Sequence, residues 1–162
     1  GPMSTADAPL PKAPVLEGPR PHLLVVRAPY YTEIVDGLRD GAERMLREAG
    51  ATFDVLDVAG ALELASAVRL ALRGKRRYDG YVVLGCVVKG ETDHYEHVCR
   101  EAMSGLTQVA LQFALCLGNG LLTVATEAQA LARAGADGPN KGAEAAVAAL
   151  MQLRAARWLE AV

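Results

Sequence analysis

The reactive side chains of this 162-residue chain gather at a few turns, and the densest is Gly85-Cys86-Val87-Val88-Lys89-Gly90-Glu91-Thr92-Asp93-His94-Tyr95. An apolar run ends there at Lys89-Gly90, and a helix is expected to start at about Thr92. The backbone N–H groups of Glu91 and Thr92 would then open a helix, where unpaired donors and the helix dipole suit an anion. The same residues also fit a plain turn, with Thr92 as N-cap. His94 falls in the first helical turn, at the rim of the crevice. A neutral imidazole there can carry protons near pH 7, and a locally satisfied histidine is the competing reading. His97 shares its face, but no third ligand at suitable spacing accompanies the pair, so no metal site is read.

Two further turns carry charge. Glu63, in Gly60-Ala61-Leu62-Glu63, follows a second strand-like run. Its carboxylate could accept hydrogen bonds from ligand hydroxyls, or simply complement the positive end of its own helix. Arg133 and Lys141 flank Gly135-Ala136-Asp137-Gly138-Pro139-Asn140. Such a cationic pair can grip phosphate, or remain solvated.

The elements that must position these residues alternate in type. His22 to Arg27, Thr52 to Val58, Tyr81 to Val88 and Gly120 to Val124 read as strands, the third apolar enough to lie centrally. Between them Ile34, Leu38, Ala42, Met45, Leu46 and Ala49 repeat at helical spacing, as do Val98, Ala102, Leu106, Val109 and Phe113. Helices are also expected over Ala61 to Leu72, Ala128 to Ala134 and Lys141 to Trp158. Val109 to Leu117 is apolar nearly all round, which suits a helix end buried on more than one side. The expected fold is a single-domain, three-layer α/β/α of flavodoxin-like type: four parallel strands in an open sheet, helices on both faces. Ligands of such sheets bind beyond the carboxyl ends of the strands.

The remaining composition narrows the function. A net charge of -2 argues against nucleic acid, and no apolar run is long enough for a membrane span. No signal peptide is read. Cys86, Cys99 and Cys116 form no metal-type pairing and are expected to be free thiols, which makes the cytoplasm the default compartment. Residues 1–20 hold Pro2, Pro9, Pro11, Pro14 and Pro19, with Pro21 just beyond, and are expected to be a flexible or loosely draped arm. Gly1-Pro2 ahead of Met3 reads as a cleavage scar. Residues 21–162 form the domain.

In this order and spacing, GALE (60–63), LGCVVKGETDHYEHVC (84–99), GNGLLTV (118–124) and RAGADGPNKG (133–142) resemble the lumazine synthase family across about residues 22 to 160. The resemblance implies condensation of 5-amino-6-ribitylamino-uracil with 3,4-dihydroxy-2-butanone 4-phosphate, without metal or organic cofactor. By motif, His94 is implied as the acid/base. The amides of Glu91 and Thr92, with Arg133, would hold phosphate, and Lys141 would lie near both reactants. Ala61, Leu62 and Glu63 would face the ribityl chain, Cys86, Val87 and Val88 would line the pyrimidine pocket, and Tyr30 would stack on the heterocycle. Asn119 would reach in from a neighbouring subunit. Holding two reactants together suits a reaction whose partners combine readily even unaided.

Several positions depart from the family pattern. Ala59 replaces a proline, Leu62 an aromatic, Asn119 a frequent phenylalanine, and Pro29-Tyr30-Tyr31 the usual Arg-Phe-Asn. The resemblance further implies a homopentamer with active sites between subunits, and in some members a 60-subunit shell; the proline-rich arm favours the free pentamer. Two other readings stay open: a catalytically weak lumazine- or flavin-binding paralogue or engineered scaffold, and a flavodoxin-like signalling or nucleotide-binding domain. The latter lacks an acidic pocket after the first strand, where Arg27-Ala28-Pro29 stands.

Overall fold

A computed structural model describes residues 10–91 and 93–162, excluding the side chain of Glu91. Four strands, β1 (His22–Arg27), β2 (Thr52–Asp57), β3 (Gly80–Val88) and β4 (Leu117–Val124), form one sheet in the order β2-β1-β3-β4, with every pair parallel. The expected layering follows. β3, apolar throughout, is buried along its whole length, while the alternating β2 lies at the edge and stays partly exposed. The other edge strand, β4, is largely buried beneath α5 (Lys141–Trp158).

α1 (Thr32–Glu48) and α5 cover one face with α4 (Glu127–Ala132). Leu38, Met45, Leu46, Leu150 and the small side chains of Ala145, Ala146 and Ala149 pack there against Val25, Val82 and Leu84. The alanine-rich face of α5 allows a close approach to α1. A Cβ on Gly142 would collide with the Leu38 backbone carbonyl, so only glycine fits at that crossing. On the opposite face α2 (Leu64–Arg73) and α3 (Tyr95–Gln112) bury Leu64, Val68, Leu106 and Val109 against Val26 and Val83. No helix among the described residues is long and apolar enough to cross a membrane.

Residues 10–20 run beside α5. Leu10, Ala13 and Leu16 pack against the α1/α5 core, and the Arg157 guanidinium donates to the carbonyls of Glu17 (2.5 Å) and Pro19 (2.6 Å).

Four boundaries differ from the sequence reading in ways that bear on the site. The helix expected from Thr92 starts at Tyr95; a 3-10 turn at Lys89–Glu91 precedes it, and His94 is its N-cap rather than part of its first turn. No side-chain bond caps that end, so no local signal marked it. The apolar run 109–117 is not a helix end: α3 stops at Gln112, Ala114 takes a positive φ of 51°, and Leu117 already belongs to β4. β4 thus begins three residues before Gly120, because Leu117, Gly118 and Asn119 pair with Tyr81, Val82 and Val83. The helix expected from Ala61 begins as a 3-10 turn, with α2 proper starting at Leu64.

Candidate active site

The carboxyl ends of the strands carry two separate hollows. The first, of about 360 Å³, lies beyond β1, β2 and β3, walled by Tyr30 and Tyr31, by the turn Ala59-Gly60-Ala61, and by Cys86, Val87 and Val88. Tyr30 is 80% exposed and meets Tyr31 edge-on, with ring centroids 5.0 Å apart. A mostly exposed ring beside an uncharged wall is available to stack on a planar ligand. Leu62 and Glu63 complete the next turn, both solvent-facing. The Glu63 carboxylate folds back over Gly60, so that a Cβ there would meet Oε2 at 3.2 Å.

Burial, and secondarily the Glu127 carboxylate, pushes the Cys86 thiol up to about 12. It is a neutral wall atom near pH 7, not a thiolate nucleophile. Burial also raises the Tyr95 phenol and the Cys99 thiol, which are hydrogen-bonded to each other. Tyr95 further engages Thr123 of β4, so the first residue of α3 bridges towards the second hollow.

That second hollow, of about 310 Å³, lies at the end of β4 among Thr123, Val124, Gln129, Arg133 and Lys141. The Lys141 N–H donates to the Arg133 carbonyl (2.8 Å), and Arg133 Nη1 donates to the Gln129 carbonyl (2.8 Å). Asn140 holds the turn between them. It is 1% exposed; its Nδ2 donates to the carbonyls of Gly37 (3.0 Å) and Gly135 (3.1 Å), and its Oδ1 caps α5 through Ala143 N–H (3.0 Å). The sequence reading did not single out Asn140. An asparagine directly ahead of an alanine-rich helix was the available signal.

Thus Tyr30, Ala61, Cys86, Val87 and Val88 converge on one hollow, and Arg133 and Lys141 on the other. His94 is exposed at the start of α3, next to the bridging Tyr95. Asn119 lines neither hollow itself but bonds to two lining residues of the second, its Nδ2 donating to the Met103 sulfur (3.2 Å) and its Oδ1 accepting from Leu121 N–H (2.9 Å). Thr92 and the Glu91 side chain lie outside the described residues. Among the described residues no group of three or more His, Cys, Asp or Glu is placed to hold a metal ion.

One further group was not anticipated. Arg27, 8% exposed at the end of β1, grips Asp57 with two hydrogen bonds (Nε–Oδ1 2.8 Å, Nη2–Oδ2 3.1 Å) and Asp36 with a third (2.9 Å). The bond to Asp57 holds the guanidinium pKa above its ordinary value, and the same bond holds the Asp57 carboxyl below its own.

The 6,7-dimethyl-8-ribityllumazine synthase family model matches residues 20–157. Among similar proteins, a 6,7-dimethyl-8-ribityllumazine synthase of Bartonella tribocorum is 45% identical over 83% of this chain and 89% of its own length. One of Beijerinckia indica is 48% identical over 81% of this chain and 73% of its own. One of Paramagnetospirillum magneticum is 43% identical over 85% and 95% respectively.

Proposed function

Since the chain belongs to the 6,7-dimethyl-8-ribityllumazine synthase family, we propose that it catalyses that family's reaction, condensing 5-amino-6-ribitylamino-uracil with 3,4-dihydroxy-2-butanone 4-phosphate. The observation that carries this reading is the division of labour at the strand ends. One hollow is uncharged and aromatic-walled, and the other holds Arg133 and Lys141. The first suits a planar pyrimidine and the second a phosphate.

In the mechanism, the pyrimidine amine attacks the butanone carbonyl and water leaves to form an imine. Phosphate is expelled, and the ribityl-bearing nitrogen then closes the ring with loss of water. His94 moves the protons, accepting one from the attacking amine and returning it to the departing oxygen. Arg133 and Lys141, with the amides of Glu91 and Thr92, neutralise the phosphate as it leaves. Tyr30 stacks on the heterocycle, while Cys86, Val87 and Val88 wall it in. Ala61, Leu62 and Glu63 meet the ribityl chain, the Glu63 carboxylate accepting from its hydroxyls. Most of the rate gain comes from holding two mutually reactive molecules in register.

The two hollows belong to different active centres. In the assembly, the Arg133/Lys141 hollow of one subunit, with Asn119, completes the Tyr30/Glu63/His94 hollow of the next, in a ring of five. Supporting this, Leu62, Leu70, Leu111 and Phe113 leave exposed apolar surface on the α2/α3 side, as a subunit interface would. The free pentamer is preferred over the 60-subunit shell. The free thiols Cys86, Cys99 and Cys116 accord with the reducing cytoplasm.

The test follows lumazine formation by absorbance for the parent and for His94→Ala. A parent rate well above the spontaneous reaction, with a clear loss in the variant, is the expected result. A parent no faster than the spontaneous reaction, while still binding the lumazine, would instead indicate a carrier or scaffold.

A further inference from the structure

Resting on that reading of the site, we infer that Arg27 is a positioning residue for the pyrimidine: its guanidinium clamps together the two loops that form the outer walls of the uncharged hollow.

Residues 28–31, which carry Tyr30 and Tyr31, leave the end of β1 and enter α1. Residues 58–60 leave the end of β2 and lead to Ala61 and Glu63. Sheet hydrogen bonding ends at the first residue of each loop, with Val58 N–H donating to the Arg27 carbonyl (2.7 Å) and Ala28 N–H to the Leu84 carbonyl (2.9 Å). Beyond these bonds the backbone offers no ladder to hold Tyr30 against the Ala59-Gly60-Ala61 turn.

The Arg27 side chain supplies the link. Two of its bonds fix Asp57, the last residue of β2, and the third fixes Asp36, in the second turn of α1. One planar group therefore sets the distance between the root of the Tyr30/Tyr31 loop and the root of the Gly60 turn. The fork geometry matters, because a guanidinium donates along several fixed directions and an ammonium does not. Its position also matters: the Arg27 side chain is 10% exposed, whereas Asp36 and Asp57 are each about half exposed. The arginine is thus the buried member while its partners face solvent, and removing one aspartate leaves its guanidinium paired with the other.

The consequence is selective. The clamp acts at the roots of the wall assigned to the pyrimidine, its own three side chains lying outside the hollow's lining; the Arg133/Lys141 hollow lies at the far edge strand, β4. Loosening the clamp should weaken pyrimidine binding and leave the phosphate reactant unaffected.

The experiment compares the parent with Arg27→Met, Arg27→Lys and Asp36→Ala. KM is measured for each substrate separately, with the Kd of the lumazine product read by fluorescence, and folding checked by thermal melting. For Arg27→Met the pyrimidine KM and the product Kd are expected to rise about tenfold, the equivalent of losing one charge-assisted bond. The butanone phosphate KM and kcat should stay within about threefold. Arg27→Lys should fall between the two. Asp36→Ala, at an exposed helix position, should fold like the parent and shift the same constants in the same direction by about threefold. Should Arg27→Met fail to fold, Asp36→Ala decides alone. The inference is overturned if both substrates are affected equally, or if melting temperature falls while every binding constant is unchanged. The parent rate reports independently on the synthase reading. A parent that makes lumazine with variants showing no pyrimidine effect rejects Arg27 alone, and a parent that neither reacts nor binds the product rejects both.

Discussion

The backbone N–H of Lys141 donates to the carbonyl of Arg133 at 2.8 Å, which fastens the two cations of the β4 hollow to opposite ends of one closed turn. The bond sets where each of the two side chains leaves the backbone. Lys141→Met should therefore raise the KM for butanone phosphate by about ten- to a hundredfold, the range for a lost charge-assisted hydrogen bond, with a smaller effect on the pyrimidine. Inhibition by inorganic phosphate should weaken in parallel. Equal effects on both substrates would place Lys141 elsewhere in the mechanism.

Asn140 is the post that keeps that turn closed. Three hydrogen bonds converge on it at 1% exposure, linking α1, the turn and α5. Asn140→Ala removes a helix cap and takes the side-chain donor from two half-buried carbonyls, at a cost of about 2–4 kcal/mol measured by denaturant unfolding. Asn140→Asp keeps the cap but turns a carboxylate oxygen towards both carbonyls at 1% exposure, and should cost at least as much.

Cys86 lines the uncharged hollow, yet its thiol is pushed up to about 12, chiefly by burial. At pH 8 the folded protein should leave Cys86 unalkylated by iodoacetamide, as read by mass spectrometry of the peptides. Cys86→Ala should keep the lumazine rate within about threefold, since a neutral thiol there acts only as packing. Rapid alkylation coupled to loss of activity would show that this thiol ionises and would contradict its role as a wall.

The Arg27–Asp57 pair gives a pH signature. The Asp57 carboxyl is held below its ordinary value by the Arg27 guanidinium, so the folded state binds its proton less readily than the unfolded chain does. Its contribution is fully present above the ordinary aspartate value of about 3.9 and is lost as pH falls through the lowered one. Because Asp57 is about half exposed, solvent screening keeps the contribution below about 1 kcal/mol. The melting-temperature gap between the parent and Asp57→Asn should hold constant from about pH 5 to 8 and close below about pH 4.

Which parts of this molecule could be read from its residues follows from whether their signals are local. β3 was legible because Tyr81 to Val88 is apolar without a break, and only a strand covered on both faces tolerates that. Glu63, Arg133 and Lys141 stood out because each sits at a turn beside glycine. The run from Val109 to Leu117 was not legible: an apolar stretch carries no period by which helix can be divided from strand, and the reversal at Ala114 uses no glycine. The Arg27 clamp was invisible for a different reason. Its partners lie 9 and 30 residues away, and only the parallel pairing of β1 with β2 brings Asp57 beside it. The sequence reading used Arg27 merely to exclude an acidic pocket. Asn119 was assigned by family motif alone; here its polar atoms engage Met103 and Leu121 of its own chain.

The claim that each active centre is built from two neighbouring chains is tested most directly by mixing inactive variants. His94→Ala spoils one hollow and Lys141→Ala the other, so each variant alone should make little lumazine. Unfolded together in equal amounts and reassembled, a ring with random neighbours restores one intact centre at about a quarter of its interfaces. About a quarter of the parent rate is expected from the mixture. A mixture no more active than the separate variants, alongside an active parent treated identically, would show that both hollows serve one chain and contradict the shared centre.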